Sequence, residues 1–169
     1  MTSTRKPVGP QVVHREEQPY VAIGGPVTMH TIHTLGDRLQ AVYGWLHERG
    51  IEAAGPPFFR YRRIHMEREL DVEAGVPVPA AVEPDSSVIA DMLPAGQFLT
   101  ATHIGPPSEL FGANAALLAW ADERGLVFDR SDSADGERWG CRLEFYRTDP
   151  LVEPDTAKWE TELAFRLAD

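Results

Sequence analysis

Glu144 is the residue in this sequence best placed to do chemistry. It stands in Arg142, Leu143, Glu144, Phe145, Tyr146, and in an extended strand the period of two sets Leu143 and Phe145 on one face and Arg142, Glu144 and Tyr146 on the other. A carboxylate sharing a face with a phenol can serve as general base toward water or as counter-charge for a cation. If Leu143 and Phe145 meet the helices, Glu144 points into a groove on the free face of the sheet. The competing reading is a surface acid paired with Arg142 or Arg60. In an enzyme, Glu144 and Tyr146 would be the catalytic pair, with Tyr61 or Tyr146 hydrogen-bonding the group that gains charge. Aromatic side chains supply the rest of a candidate ligand site: Phe59 and Tyr61, which resemble Glu144 and Tyr146 in position, with Phe98, Trp139 and Trp159. Rings of this kind offer stacking and cation-π contact.

Other constellations fail on inspection. His30 and His33 are three apart but lack a third marked ligand, so no metal is expected. The loop from Ser131 to Gly136 has serine at the first and third positions of a would-be calcium loop. Cys141 has no neighbouring histidine and reads as a small buried hydrophobe. No serine sits in a nucleophile elbow, no glycine-rich phosphate loop precedes a helix, and no cofactor is implied.

The elements that must position these residues follow from periodicity. Tyr20 to Met29 reads as a strand broken at Gly24, Gly25 and Pro26, and Leu35, Leu39, Val42 and Leu46 recur at helical spacing before Gly50. Phe58 to Arg62 and the alternating Met66 to Val72 give two more strands, and the proline-bearing Gly75 to Pro84 reads as a connector. A second unit has Val88 to Met92 and Gly96 to His103 as a strand split at Pro94. A helix through Leu110, Leu117 and Ala121 follows, then a polar loop from Asp129 to Gly136, and strands over Gly140 to Tyr146 and Trp159 to Leu167.

The two units resemble one another. Trp45, Leu46, His47, Glu48, Arg49, Gly50, Ile51 returns 75 positions later as Trp120, Ala121, Asp122, Glu123, Arg124, Gly125, Leu126, and the same offset aligns Pro19 with Pro94, Leu35 with Leu110 and Val42 with Leu117. Two copies are too few for a solenoid. The expected fold is therefore α+β: a tandem duplication of a strand-helix-strand-strand unit with pseudo-two-fold symmetry, whose antiparallel sheets form a concave ligand groove. A short flexible leader over 1–11 would precede one domain over 12–169, made of repeats at about 12–79 and 85–169. Trp45 and Trp120, at equivalent helix positions, read as packing residues.

Composition narrows the partners. The 169 residues carry 16 basic and 26 acidic side chains, a net charge of −10, which opposes phosphate backbones and favours cations, so direct nucleic-acid binding is not expected. With one cysteine there is no internal disulfide, and no stretch approaches a membrane span. A cytoplasmic location fits, and open strand edges make a homodimer possible.

These residues resemble the GyrI-like small-molecule-binding domain, the effector-binding domain of AraC-type and multidrug-sensing regulators, over Val12 to Leu167. The resemblance is carried by His103, Ile104, Gly105, Pro106 ahead of a helix and by the Trp120 to Leu126 helix end. It is carried further by Leu143 to Tyr146 with Asp149 and Pro150, by Trp159 to Glu162, and by Glu73, Ala74, Gly75, Val76, Pro77 as an E-x-G-x-P element. It implies a stand-alone domain that captures lipophilic, often cationic or genotoxic compounds, with Glu144 at the position of the family's pocket glutamate. It also implies two alternatives. One is a hydrolase that opens cyclopropane-type rings of DNA-alkylating compounds, with Glu144 activating water. The other is a protein-binding inhibitor of a topoisomerase.

Overall fold

The computed structural model describes residues 9–65 and 67–169. Among these described residues, ten strands and two α-helices make up an α+β arrangement: β1 (Gln11–Arg15), β2 (Gln18–Val27), α1 (Leu35–Glu48), β3 (Phe58–Ile64), β4 (Leu70–Pro77), β5 (Ile89–Leu93), β6 (Gly96–Ile104), α2 (Leu110–Glu123), β7 (Arg130–Ser133), β8 (Gly136–Trp139), β9 (Arg142–Tyr146) and β10 (Glu160–Arg166). All pairings are antiparallel, and eight strands run in the order β1-β6-β10-β9-β3-β4-β2-β5. The order mirrors itself about the β9–β3 pair. β1, which leads into β2, pairs with β6, while β5, which leads into β6, pairs with β2.

The sequence led us to expect two small sheets; the structure has one curled sheet, because Phe58, Phe59 and Arg60 of β3 register against Phe145, Glu144 and Leu143 of β9. The Phe58 and Phe145 rings meet across that seam at 5.5 Å. Both helices lie on one face. α1 presents Val42, Trp45 and Leu46 to Val21 of β2 and Val76 of β4, and α2 presents Leu117 and Ala121 to Leu99, Leu163 and Phe165. The opposite face does not stay open: the sheet curls over Tyr20, Phe58, Phe98, Cys141, Leu143 and Phe145, all at most 3% exposed. Burial of this kind stabilises by about 25 cal/mol per Å² of apolar surface. It also pushes the Cys141 thiol up to about 11, so Cys141 is a packing residue.

The helix ends explain the repeated heptapeptide. Gly50 and Gly125 have φ of 67° and 68°, the left-handed conformation that closes a helix at low cost for glycine. In both, the arginine just before folds back over its tryptophan, Arg49 at 3.8 Å from the Trp45 ring and Arg124 at 3.9 Å from the Trp120 ring.

Several boundaries shift. β4 runs Leu70–Pro77 rather than Met66 to Val72. Met66 lies outside the described residues, and His65 donates its N–H to the Glu69 carbonyl at 3.2 Å. Gly75 to Pro77, expected in a connector, is therefore strand. The polar stretch expected as loop instead forms the β7–β8 hairpin, turning at Gly136 and tied by Arg130 to Glu137 at 3.5 Å. Of the expected leader, residues 1–8 lie outside the described residues, and Gln11 already belongs to β1.

β4 also explains the E-x-G-x-P element. A Cβ at Gly75 would stand 2.7 Å from Phe58 Cζ and 3.2 Å from Tyr20 Cδ2, so only glycine lets both rings close over the strand. Gly75→Ala is expected to cost about 1–3 kcal/mol of stability by overpacking, read as a lower urea midpoint with an unchanged slope. On the same face, Tyr20 donates its hydroxyl proton to Glu73 and accepts from Arg60 Nη1 at 2.9 Å and Arg62 Nη2 at 3.2 Å. Arg62 Nε donates to Glu73 Oε2 at 2.9 Å. Among the described residues no helix is long and apolar enough to cross a membrane.

Candidate functional site

β9 and β3 form the centre of the sheet, so their helix-side residues stand where neither helix covers them. Register places Glu144 opposite Phe59 on β3 and Leu163 on β10. The expected orientation of β9 is reversed: Leu143 and Phe145 pack on the face away from the helices. Glu144 nevertheless meets open space, because the cavity lies on the helix side and the opposite face is filled by the curled core.

That cavity, about 530 Å³, has a floor of Phe59, Tyr61, Glu144 and Tyr146 and a wall from the first turns of α2, Leu110, Phe111, Asn114 and Leu118. Met29 and Ile32, from the connection ahead of α1, form the opposite rim. The 3-10 turn at Pro107–Glu109, entered through Gly105 at φ 149°, sets where α2 begins. Phe111 is 74% exposed at the mouth. A concave, mostly apolar site with few polar groups is the usual form of a small-molecule pocket.

Glu144 is 7% exposed. Its Oε1 accepts from Tyr146 Oη at 2.6 Å and Tyr61 Oη at 3.0 Å, and its Oε2 accepts from Asn114 Nδ2 at 3.2 Å. Burial, reinforced by the Glu144 charge, pushes both phenols well above their ordinary value, so they are proton donors throughout the physiological range. The Phe59 ring meets Tyr146 edge-on at 4.8 Å and braces it. Among the described residues no lysine, arginine or histidine nitrogen lies within 4.0 Å of the Glu144 carboxylate. Arg142 does not pair with it, in contrast to the surface reading. Its Nη2 donates to Asn114 Oδ1 at 3.1 Å, with the guanidinium at 4.5 Å from the Phe165 ring. Burial lowers the pKa of Arg142.

The remaining candidates sit elsewhere. Trp139 is 4% exposed in the core under α2 and donates Nε1–H to Glu137 at 3.1 Å. Phe98 is buried on the far face, where it borders a separate cleft of about 410 Å³ with Arg15 and Leu93. Trp159 is half-buried and donates to the Glu153 carbonyl at 2.7 Å. The sequence reading placed Arg142 on this strand face without giving it a role in the site, and missed Asn114 and the α2 wall. An asparagine inside a helix, where its side chain competes with the backbone, was the available signal.

A family model described as the GyrI-like small-molecule-binding domain matches residues 9–168. No curated protein matches the sequence. Among solved structures, EcmrR in complex with DNA superposes with a TM-score of 0.77 at 17% identity, over 96% of this chain and 58% of that one. The present chain thus spans a little over half of EcmrR, and the isolated EcmrR C-terminal domain matches with a TM-score of 0.73 at 18% identity over 96% of this chain and 98% of that one. SAV2435 bound to tetraphenylphosphonium gives 0.59 at 9% identity, over 94% and 93% of the two chains. A hydrolase from Listeria innocua gives 0.63 at 15% identity, over 98% and 94%. At these identities the likeness is one of fold.

Proposed function

Since the chain belongs to the GyrI-like small-molecule-binding domain family, we propose that it captures lipophilic cations in the cavity beside α2. Glu144 is the counter-charge, and Phe59, Tyr61 and Tyr146 are the aromatic walls. The observation that carries this reading is a carboxylate 7% exposed, held by three neutral donors and facing an apolar cavity with no basic group of the described residues within 4.0 Å. A carboxylate in such surroundings carries a desolvation cost, which an entering cation offsets. The net charge of −10 adds a long-range attraction of the same sign. That SAV2435 holds tetraphenylphosphonium on a similar fold supports the choice of ligand class.

We read the architecture behind the site as two repeats, 12–79 and 85–169, facing each other across the β9–β3 seam. The mirrored strand order and the twin arginine-on-tryptophan helix ends support that reading. A ring-opening hydrolase is the second reading, favoured by the lighter load on Glu144: Oε2 holds one donor where Oε1 holds two, leaving it a lone pair for a water proton.

Calorimetric titration tests the first reading. Tetraphenylphosphonium should bind the protein, and the neutral triphenylphosphine oxide, which keeps three of its four phenyl rings, should bind at least about 100-fold more weakly, the combined value of one charge-assisted contact and one lost ring. Equal affinities would overturn it. Incubation with a cyclopropane-bearing alkylator, followed by mass for addition of one water, tests the second.

A further inference from the structure

Arg142 lines the same cavity as Glu144, and among the described residues it has no carboxylate within 4.0 Å. Its guanidinium lies 4.7 Å from the Trp139 ring and 4.5 Å from the Phe165 ring, and its one hydrogen bond among the described residues goes to Asn114 Oδ1. A guanidinium has five N–H donors and stays charged. The other half-buried arginines near this sheet centre are answered. Arg63 reaches Asp71 at 2.8 Å and Glu69 at 3.1 Å, and Arg62 reaches Glu73 at 2.9 Å and Asp91 at 2.8 Å. Arg142 alone of these three presents unanswered donors to a cavity, in a chain with ten more acidic than basic side chains.

Arg142 and Glu144 lie two residues apart on one strand face, which separates their Cα atoms by about 6.6 Å at 3.3 Å per residue. The Asn114 amide spans the gap. It donates to Glu144 and accepts from Arg142, holding opposite charges side by side without a direct ion pair between them. A cavity built this way offers an anion site next to a cation site.

We propose that the cavity selects amphoteric ligands: a lipophilic aromatic cation that also carries a carboxylate, the cationic group on Glu144 and the carboxylate on Arg142. This deepens the cation reading and rests on it. The long-range field of an acidic protein disfavours a ligand carboxylate, so any preference for one must come from a local group, and Arg142 is the group the cavity supplies.

The test uses two dyes that share a xanthylium cation, rhodamine 19 with a free carboxylate and rhodamine 6G with the corresponding ethyl ester, titrated by fluorescence anisotropy. The wild-type protein should bind rhodamine 19 about ten-fold more tightly than rhodamine 6G, the scale of one charge-assisted hydrogen bond. Arg142→Met, which keeps an apolar stem at this position, should abolish the preference by weakening rhodamine 19 while leaving rhodamine 6G within about two-fold. Equal binding of the dyes to the wild type, or equal weakening of both by R142M, overturns the proposal. The wild-type comparison needs no variant, so it decides even if R142M fails to fold. Tetraphenylphosphonium separates the two levels. If it binds while the dyes are not distinguished, the cation reading stands and the amphoteric one falls. If neither it nor the dyes bind, both fall.

Discussion

Replacing Glu144 by glutamine is expected to weaken tetraphenylphosphonium binding by about 30-fold to 1,000-fold, equivalent to roughly 2–4 kcal/mol, the range for removing one member of a desolvated charge pair. The substitution keeps the volume and keeps an oxygen for the Tyr61 and Tyr146 hydroxyls, so the cavity walls stay in place. Triphenylphosphine oxide should then change by less than about three-fold, because a neutral ligand gains little from the carboxylate. The remaining acidic side chains do not substitute for Glu144: they lie at the surface for the most part, where salt screens them beyond about 8–10 Å. Wild-type affinity should accordingly fall only modestly as ionic strength rises, while E144Q retains whatever screened attraction remains. Calorimetry at two salt concentrations measures both terms. An unchanged affinity in E144Q would remove Glu144 from the binding site.

The parts of this fold that were legible in the sequence are those fixed by local geometry. Gly50 and Gly125 marked the helix ends because a left-handed residue is needed there whatever surrounds it. The alternation in Arg142 to Tyr146 identified which side chains share a face, and Phe59, Tyr61, Glu144 and Tyr146 do come together. Which face meets the helices was not legible. β9 is buried on both sides, with Leu143 at 1% and Glu144 at 7% exposure, so alternation of chemistry did not translate into alternation of burial. The deciding contact is non-local, the closure of Tyr20, Phe58 and Phe98 over the far face. Composition misled at Gly75 to Pro77, where a glycine and a proline that looked like a linker are a close approach of two rings and the last residue of a strand, a position that proline tolerates. Trp139 illustrates the same limit. Its ring supports Arg142 from beneath instead of lining the cavity.

The second large effect concerns the face that no ligand is proposed to touch. Glu73 is buried, receives the Tyr20 hydroxyl proton and the Arg62 Nε–H, and stands opposite Arg60, itself 4% exposed, in the β3–β4 register. Arg60 has few other outlets. It donates to Tyr20 and to the Gly140 carbonyl at 2.8 Å, and its Nε has no partner among the described residues. Glu73→Ala therefore leaves a buried guanidinium and a phenol without the charge that organises them, a change worth about 3–5 kcal/mol when one member of a buried ion cluster is removed. Urea denaturation should show that loss as a lower midpoint. Removing the buried members together should cost less: in Glu73→Met combined with Arg60→Met and Tyr20→Phe, the half-buried Arg62 keeps Asp91 at 2.8 Å, so no buried charge is stranded, and part of the lost stability should return. Arg60 lies between Phe59 and Tyr61 on β3, so the cluster also sets how that strand presents its two rings to the opposite side. A partly folded Glu73→Ala protein should then bind tetraphenylphosphonium more weakly with Glu144 intact, and the triple variant should bind it nearly as the wild type does. If Glu73→Ala unfolds at the wild-type midpoint, the buried acid is not what holds this face together.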